Sequence, residues 1–203
     1  MAYLIKDVRG FDPATYSYYF FDANAWIAAL KHSQNITLDG HEQPYVNFFE
    51  AIIHLHVYKG TPQAKKVKNF PKFIVTSLLL SEIVNAYMRN VAMKVFYASQ
   101  GKDYRQFEYK RHYRPDPDHQ KQLKNLVSDF TAFKDYIELR DDRFNDIDPF
   151  TILPYLSSNT DFNDFYYYYF LHGQDIPIVT SDGDFIFQDV IILTANGRLL
   201  SIK

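Results

Sequence analysis

Short apolar runs alternate along the chain with longer segments whose apolar residues recur every three or four positions. Tyr16–Phe21 (YSYYFF) is short and almost wholly aromatic, which suits a buried strand. Ala23–Lys31 follows as a short helix, and a polar stretch with Asn35, Asp39 and Gly40 breaks it. Pro44 suits the first turn of a second helix carrying Val46, Phe49, Ile52, Ile53 and Val57, with Gly60 as its stop. Residues 61–72 read as a basic loop. FIVT (73–76) is a short β-rich run, and Ser77 stands as the N-cap of a long helix reaching about Ser99. Leu80, Ile83, Val84, Tyr87, Val91 and Val95 give that helix its stripe, and Gly101 ends it. Residues 102–118 are charged and aromatic. Asp116–Pro117 signals a helix start, so 118–138 predicts another amphipathic helix, and 140–157 an irregular segment with Pro149 and Pro154. Phe162, Phe165, Tyr166, Tyr169 and Phe170 recur at helical spacing within 161–173, and Gly173 ends the run. IPIVT (176–180) and VIILT (190–194) complete the strands.

Strands alternating with helices predict an α/β fold of three layers, with a mostly parallel central sheet covered on both faces. The 203 residues fit one domain, 1–203, and 47% apolar content is ample for a core. The 17 Tyr and 18 Phe serve cores and interfaces, and also make stacking platforms for bases. A net charge of −2 gives no global basic field. The chain has no cysteine, which excludes disulfides, thiolate zinc sites and cysteine nucleophiles, and fits a reducing cytoplasm. The opening MAYLIKDVRG has no apolar run of signal-peptide length. No apolar stretch approaches the ~18 residues of a membrane span.

The acids fall in a pattern on this outline. Asp22 lies just past the first strand, and Asp182 two residues past IPIVT. Glu82 lies in the second turn of the helix after FIVT, and Asp161 and Asp164 open the helix that leads into IPIVT. The carboxyl ends of parallel strands share one edge, so Asp22, Glu82 and Asp182 are expected to converge there. Each has a plainer reading alone: Asp22 as a helix cap, Glu82 as a solvated residue in a first-turn region, Asp182 as part of an SDGD turn. Asp161 and Asp164 suit any helix N-terminus, and Asp161 is the one expected to be structural. Carboxylates gathered in one cleft repel unless a cation joins them. Oxygen ligands without thiolates or a tight His pair indicate Mg²⁺ or Mn²⁺, the cations used to hydrolyse phosphodiesters.

These motifs resemble those of the PIN domain family. FFDANAW resembles its first motif, TSLLLSEIVNAY its second, and DFYYYYFLHGQDIPIVTSDGDF its third and fourth. The likeness covers residues 15–31, 72–99 and 158–195, about half the chain. It implies a PIN-like fold and a metal-dependent ribonuclease, in many members the toxin of a toxin–antitoxin pair. Carried over, Asp22, Glu82, Asp164 and Asp182 would form the catalytic quartet that holds Mg²⁺ or Mn²⁺. Asn24 would support the Asp22 carboxylate, Thr180 or Ser181 would hydrogen-bond behind it, and Asp184 would add charge. The interval from Asp164 to Thr180 favours Asp164 over Asp161 as third ligand, with Asp161 bordering the site.

Two stretches, about 32–71 and 100–157, exceed the compact family pattern and are expected as helical or loop insertions. Lys65, Lys66 and Lys68 form one basic patch, and Lys110, Arg111 and Arg114 another. Both are candidate contacts for an RNA backbone, with Tyr109 and Tyr113 able to stack on bases, although such runs are also ordinary solvated loops. Tyr167 and Tyr168 lie off the apolar stripe, placed for substrate or for a dimer interface. Asp141, Asp142, Asp146 and Asp148 read as a solvated loop. RNA, an antitoxin protein and a second copy of the chain are the expected partners, with no membrane. Two rivals stand beside the ribonuclease: a DNA- or flap-directed nuclease on a related fold, and a PIN-like scaffold without turnover.

Overall fold

The computed structural model describes residues 3–156 and 160–202. Six strands form one sheet: β1 (Leu4–Asp7), β2 (Tyr18–Phe21), β3 (Lys72–Val75), β4 (Ile137–Leu139), β5 (Ile178–Val179) and β6 (Ile191–Thr194). Their order is β1-β6-β5-β2-β3-β4, and every pairing is parallel. The principal helices are α1 (Ala23–Ser33), α2 (Gln43–Val57), α3 (Ser77–Tyr87), α4 (Met93–Ser99) and α5 (Pro117–Phe133). Then come α6 (Pro149–Ile152), α7 (Phe162–Leu171) and α8 (Gly197–Leu200). The fold is three-layered α/β/α, as the alternation of strands and helices requires. Among the described residues no helix is long and apolar enough to cross a membrane.

The aromatic run of β2 explains itself here. Tyr19 and Phe21 point to one face, where Phe21 meets Trp26, Phe48, Phe49 and Phe73 at 5.1–6.5 Å between ring centres. Phe20 points to the other face, onto Tyr167 and Phe170 of α7 at 4.9 and 5.8 Å. A central parallel strand is buried on both sides, so it reads as continuously apolar.

Several boundaries differ from expectation. β1 and β4 were not expected; each is a short edge strand of mixed polarity that exists only through its partner. Helix α5 stops at Phe133, a tight turn spans Lys134–Tyr136, and Ile137–Leu139 leaves the predicted helix to pair with β3. Thr76, not Ser77, caps α3, accepting from the Leu79 amide at 3.3 Å. The long helix is interrupted at Met88–Ala92 by a π-helical turn. The stretch 32–71 includes α2, which buries Tyr45, Val46, Phe48, Phe49 and Ile52. The stretch 100–157 supplies α5 and β4 to the sheet and its cover. Its first part builds a small lobe on α4, where Phe107 stacks on Tyr97 at 3.9 Å.

Candidate active site

The chain moves outward from β2 to β3 and β4, then crosses back to lay β5 on the other side of β2. The gap between the carboxyl ends of β2 and β5 is therefore the topological switch point, where open α/β sheets bind ligands. Asp22 stands on one lip and Asp182 on the other. Thr180 joins them. Its buried hydroxyl donates to Asp22 Oδ2 and accepts from the Asp182 amide at 2.9 Å. Asp22 also caps α1, with Oδ1 accepting from the Ala25 amide at 2.7 Å. Both readings of Asp22 hold together, because the cap fixes the carboxylate at the mouth of the crevice. Asp182 accepts from the Asp184 amide at 2.8 Å, which closes the turn after β5.

Two further acids approach from the helices. Glu82, in the second turn of α3, accepts at Oε2 from the Tyr167 hydroxyl at 2.6 Å and from Asn163 Nδ2 at 3.0 Å. Asn163 and Tyr167 are one turn apart on α7, so they meet the same carboxylate. Asp164 and Asp161 form a capping box at the start of α7. Asp161 accepts from the Asp164 amide at 3.1 Å, and Asp164 from the Asp161 amide at 3.2 Å.

The acids sense one another. Burial pushes Asp22 up from 3.8 to about 7; the Thr180 and Ala25 bonds oppose this, and the charges of Glu82 and Asp182 add to it. Burial likewise lifts Asp164 to about 7, helped by the charges of Asp161, Asp182 and Glu82. Glu82 is raised by burial and by Asp161, against the bonds from Tyr167 and Asn163. Among the described residues, no group of three or more His, Asp or Glu side chains is drawn together tightly enough to enclose a cation. Asp22 and Glu82 are held by their hydrogen-bond partners, Asp164 by its cap. The donor set, all carboxylate and hydroxyl oxygen with no imidazole or thiolate, fits a hard divalent cation.

Other expected residues fall differently. Asn24 is exposed on the first turn of α1 and has no hydrogen bond to Asp22; Thr180 and the Ala25 amide support that carboxylate instead. Ser181 contributes its carbonyl, which accepts from Asn196 Nδ2 at 3.0 Å. Asp184 is neutralised by Arg198 at 2.6 Å. Lys65, Lys66 and Lys68 lie on the connection into β3, whose Asn69 bonds the Ala14 carbonyl ahead of β2, so this patch sits at the amino edge of the sheet, opposite the acids. Lys110, Arg111 and Arg114 are exposed on the α4 lobe. Tyr113 is fully buried there and donates to Asp118 at 3.0 Å, and Tyr109 bonds His119 at 2.9 Å, so Tyr113 presents no free face and Tyr109 only a partial one. Tyr167 is buried against Phe20, while Tyr168 stacks on Phe187 at 4.7 Å.

Asp142 was expected in a solvated loop, and the structure gives it a partner instead. Asp142, on the loop after β4, accepts from Ser77 Oγ and from the Leu78 amide at 3.2 Å, which clamps the start of α3. Burial raises its pKa, but the Ser77 and Thr76 hydroxyls and the helix-end amides outweigh this and hold it below 3.8. Tyr167, expected at substrate or a dimer interface, instead donates to Glu82, and Asn163 beside it gave no signal in the sequence. Arg9, Arg143 and Arg198 follow β1, β4 and β6, which puts them on the same carboxyl edge as the acids. No family model, no curated protein and no solved structure matches the chain.

Proposed function

We propose that the protein is a metal-dependent ribonuclease whose catalytic carboxylates are Asp22, Glu82, Asp164 and Asp182, in keeping with the PIN-like motifs of its sequence. One observation carries this reading. Four acids from four separate parts of the chain stand near enough to the switch point to act on one another's charge, and burial, reinforced by that repulsion, lifts Asp22 and Asp164 to about 7. Such raised values in a cleft are a mark of functional sites. Mg²⁺ or Mn²⁺ held by these acids would supply charge neutralisation at the scissile phosphate and an activated water. The chain's own residues do the positioning. Thr180 and the Ala25 amide orient the two oxygens of Asp22, Tyr167 and Asn163 orient Glu82, and the capping box orients Asp164. Arg9, Arg143 and Arg198 lie on the same edge, each paired with an acid (Asp7, Asp146 and Asp184), and RNA phosphates are assigned to exchange for those partners.

The test is Mn²⁺-dependent cleavage of single-stranded RNA by the wild type and by Asp22→Asn and Asp164→Asn, with circular dichroism as the check on fold. Cleavage by the wild type and its loss in both variants is the expected result. Cleavage surviving in both would refute the site. Parallel single-stranded DNA and flap substrates separate the DNA-directed reading. RNA binding without cleavage of any substrate would make the protein a scaffold.

A further inference from the structure

We propose that β4 is a homodimerisation strand, which pairs antiparallel with β4 of a second copy about a two-fold axis through Leu139. Among the described residues β4 is the last strand of the sheet, and Leu139 on it is 78% exposed. Arg140 donates its amide to Val75 of β3 at 3.0 Å. Backbone groups alternate in direction along a strand, so Glu138 and Arg140 turn theirs toward β3 and Leu139 turns both of its groups outward, while the Ile137 amide is already taken by the Lys134 carbonyl of the preceding turn. An outward-facing residue is what an antiparallel dyad needs at its centre. Leu139 exchanges both hydrogen bonds with Leu139 of the second copy.

That register decides the neighbours. Glu138 faces Arg140 of the second copy, and Arg140 faces its Glu138, in the close pairs where Cα atoms stand ~4.5 Å apart. Opposite charges therefore meet at both symmetric places. Within one copy Glu138 and Arg140 already lie on one face, 2.9 Å apart, with the Arg140 guanidinium 4.4 Å above the Tyr18 ring. Ile137 and Leu139 lie on the other face. There they line an apolar groove of about 620 Å³ with Val84, Val127 and Phe130, and Val127 is 65% exposed. The two Leu139 side chains close over the mouths of the two grooves. Edge strands that avoid partners carry Lys, Pro or like charges. This one carries a charge order that complements itself. Antiparallel pairing sends the two carboxyl edges in opposite directions, so the two crevices open on opposite sides and neither is covered.

Sedimentation equilibrium of the full chain at tens of micromolar tests the assignment. The wild type is expected as a dimer. Leu139→Pro removes an outward amide and leaves the ladder to β3 intact, so it should be a folded monomer by circular dichroism. Glu138→Arg alone and Arg140→Glu alone each oppose like charges twice and should weaken self-association on the order of tenfold. Mixing those two variants makes every opposed pair attractive again, so a heterodimer should form, and the double exchange within one chain should restore the homodimer. A wild type that stays monomeric, or a dimer indifferent to Leu139→Pro and to the charge reversals, overturns the proposal.

Discussion

Removing the charge of Asp22 should make the protein more stable in the absence of a divalent cation, although it destroys the proposed site. The carboxyl is buried, at 8% exposure, and is lifted from 3.8 to about 7. A carboxyl whose folded value exceeds its unfolded value contributes stability that is fully present below about 4. That contribution is lost as pH rises through about 7. The lost contribution is on the order of 4 kcal/mol for this shift. Asp22→Asn keeps the cap, because Asn and Asp are equally good at this position. The Thr180 bond needs no separate allowance, because it already opposes the rise that sets the Asp22 value. In chelator at pH 8 the variant should therefore exceed the wild type by up to about 4 kcal/mol, and at pH 4, where the folded wild type carries Asp22 uncharged, the two should be nearly equal. Urea denaturation followed through the fluorescence of Trp26, the single tryptophan, measures both values. With saturating Mn²⁺ at pH 8 the order should reverse, because only the wild type gains binding energy. A variant less stable by the same amount at both pH values would refute the reasoning. Asp22 would then be an ordinary ionised helix cap.

Thr180→Val deletes the hydroxyl shared by Asp22 and the Asp182 amide inside a fully buried site, so urea denaturation should show a loss of about 1–3 kcal/mol, larger above pH 7 where the Asp22 carboxylate is charged. Tyr167→Phe keeps the ring on Phe20 but removes a donor to Glu82; burial then raises that carboxyl further, and the acid limb of the Mn²⁺-dependent cleavage profile should move to higher pH. Arg9→Ala and Arg198→Ala should each lower the salt dependence of RNA binding, read by fluorescence anisotropy, by roughly 0.7 in the log–log slope. The triple change of Lys65, Lys66 and Lys68 to Gln should leave that slope unaltered, since these lysines lie at the far edge of the sheet.

How much was legible depended on where each decision was made. β2, the cap at Asp22 and the periodic helix α7 follow from side chains a few residues apart: an aromatic run, an acid beside a helix start, apolar residues at 3.6 spacing. The α/β class followed from their alternation, and the switch-point position of Asp22 and Asp182 from the parallel sheet. Short edge strands have no such local signature. LIKD and IEL become β1 and β4 only because β6 and β3 offer open ladders, and the helical pattern before Ile137 could not register that. Tertiary contact alone joined Thr180 to Asp22 across 158 residues and Tyr167 to Glu82 across 85. It also buried Tyr113, left Asn24 in solvent and carried Lys65–Lys68 away from the acids. Propensity acts over a few residues, so local patterning settled the strongly patterned elements and the acids that end them, but not the edge strands β1 and β4. The partners of those acids were decided by which strand ends the fold brought side by side.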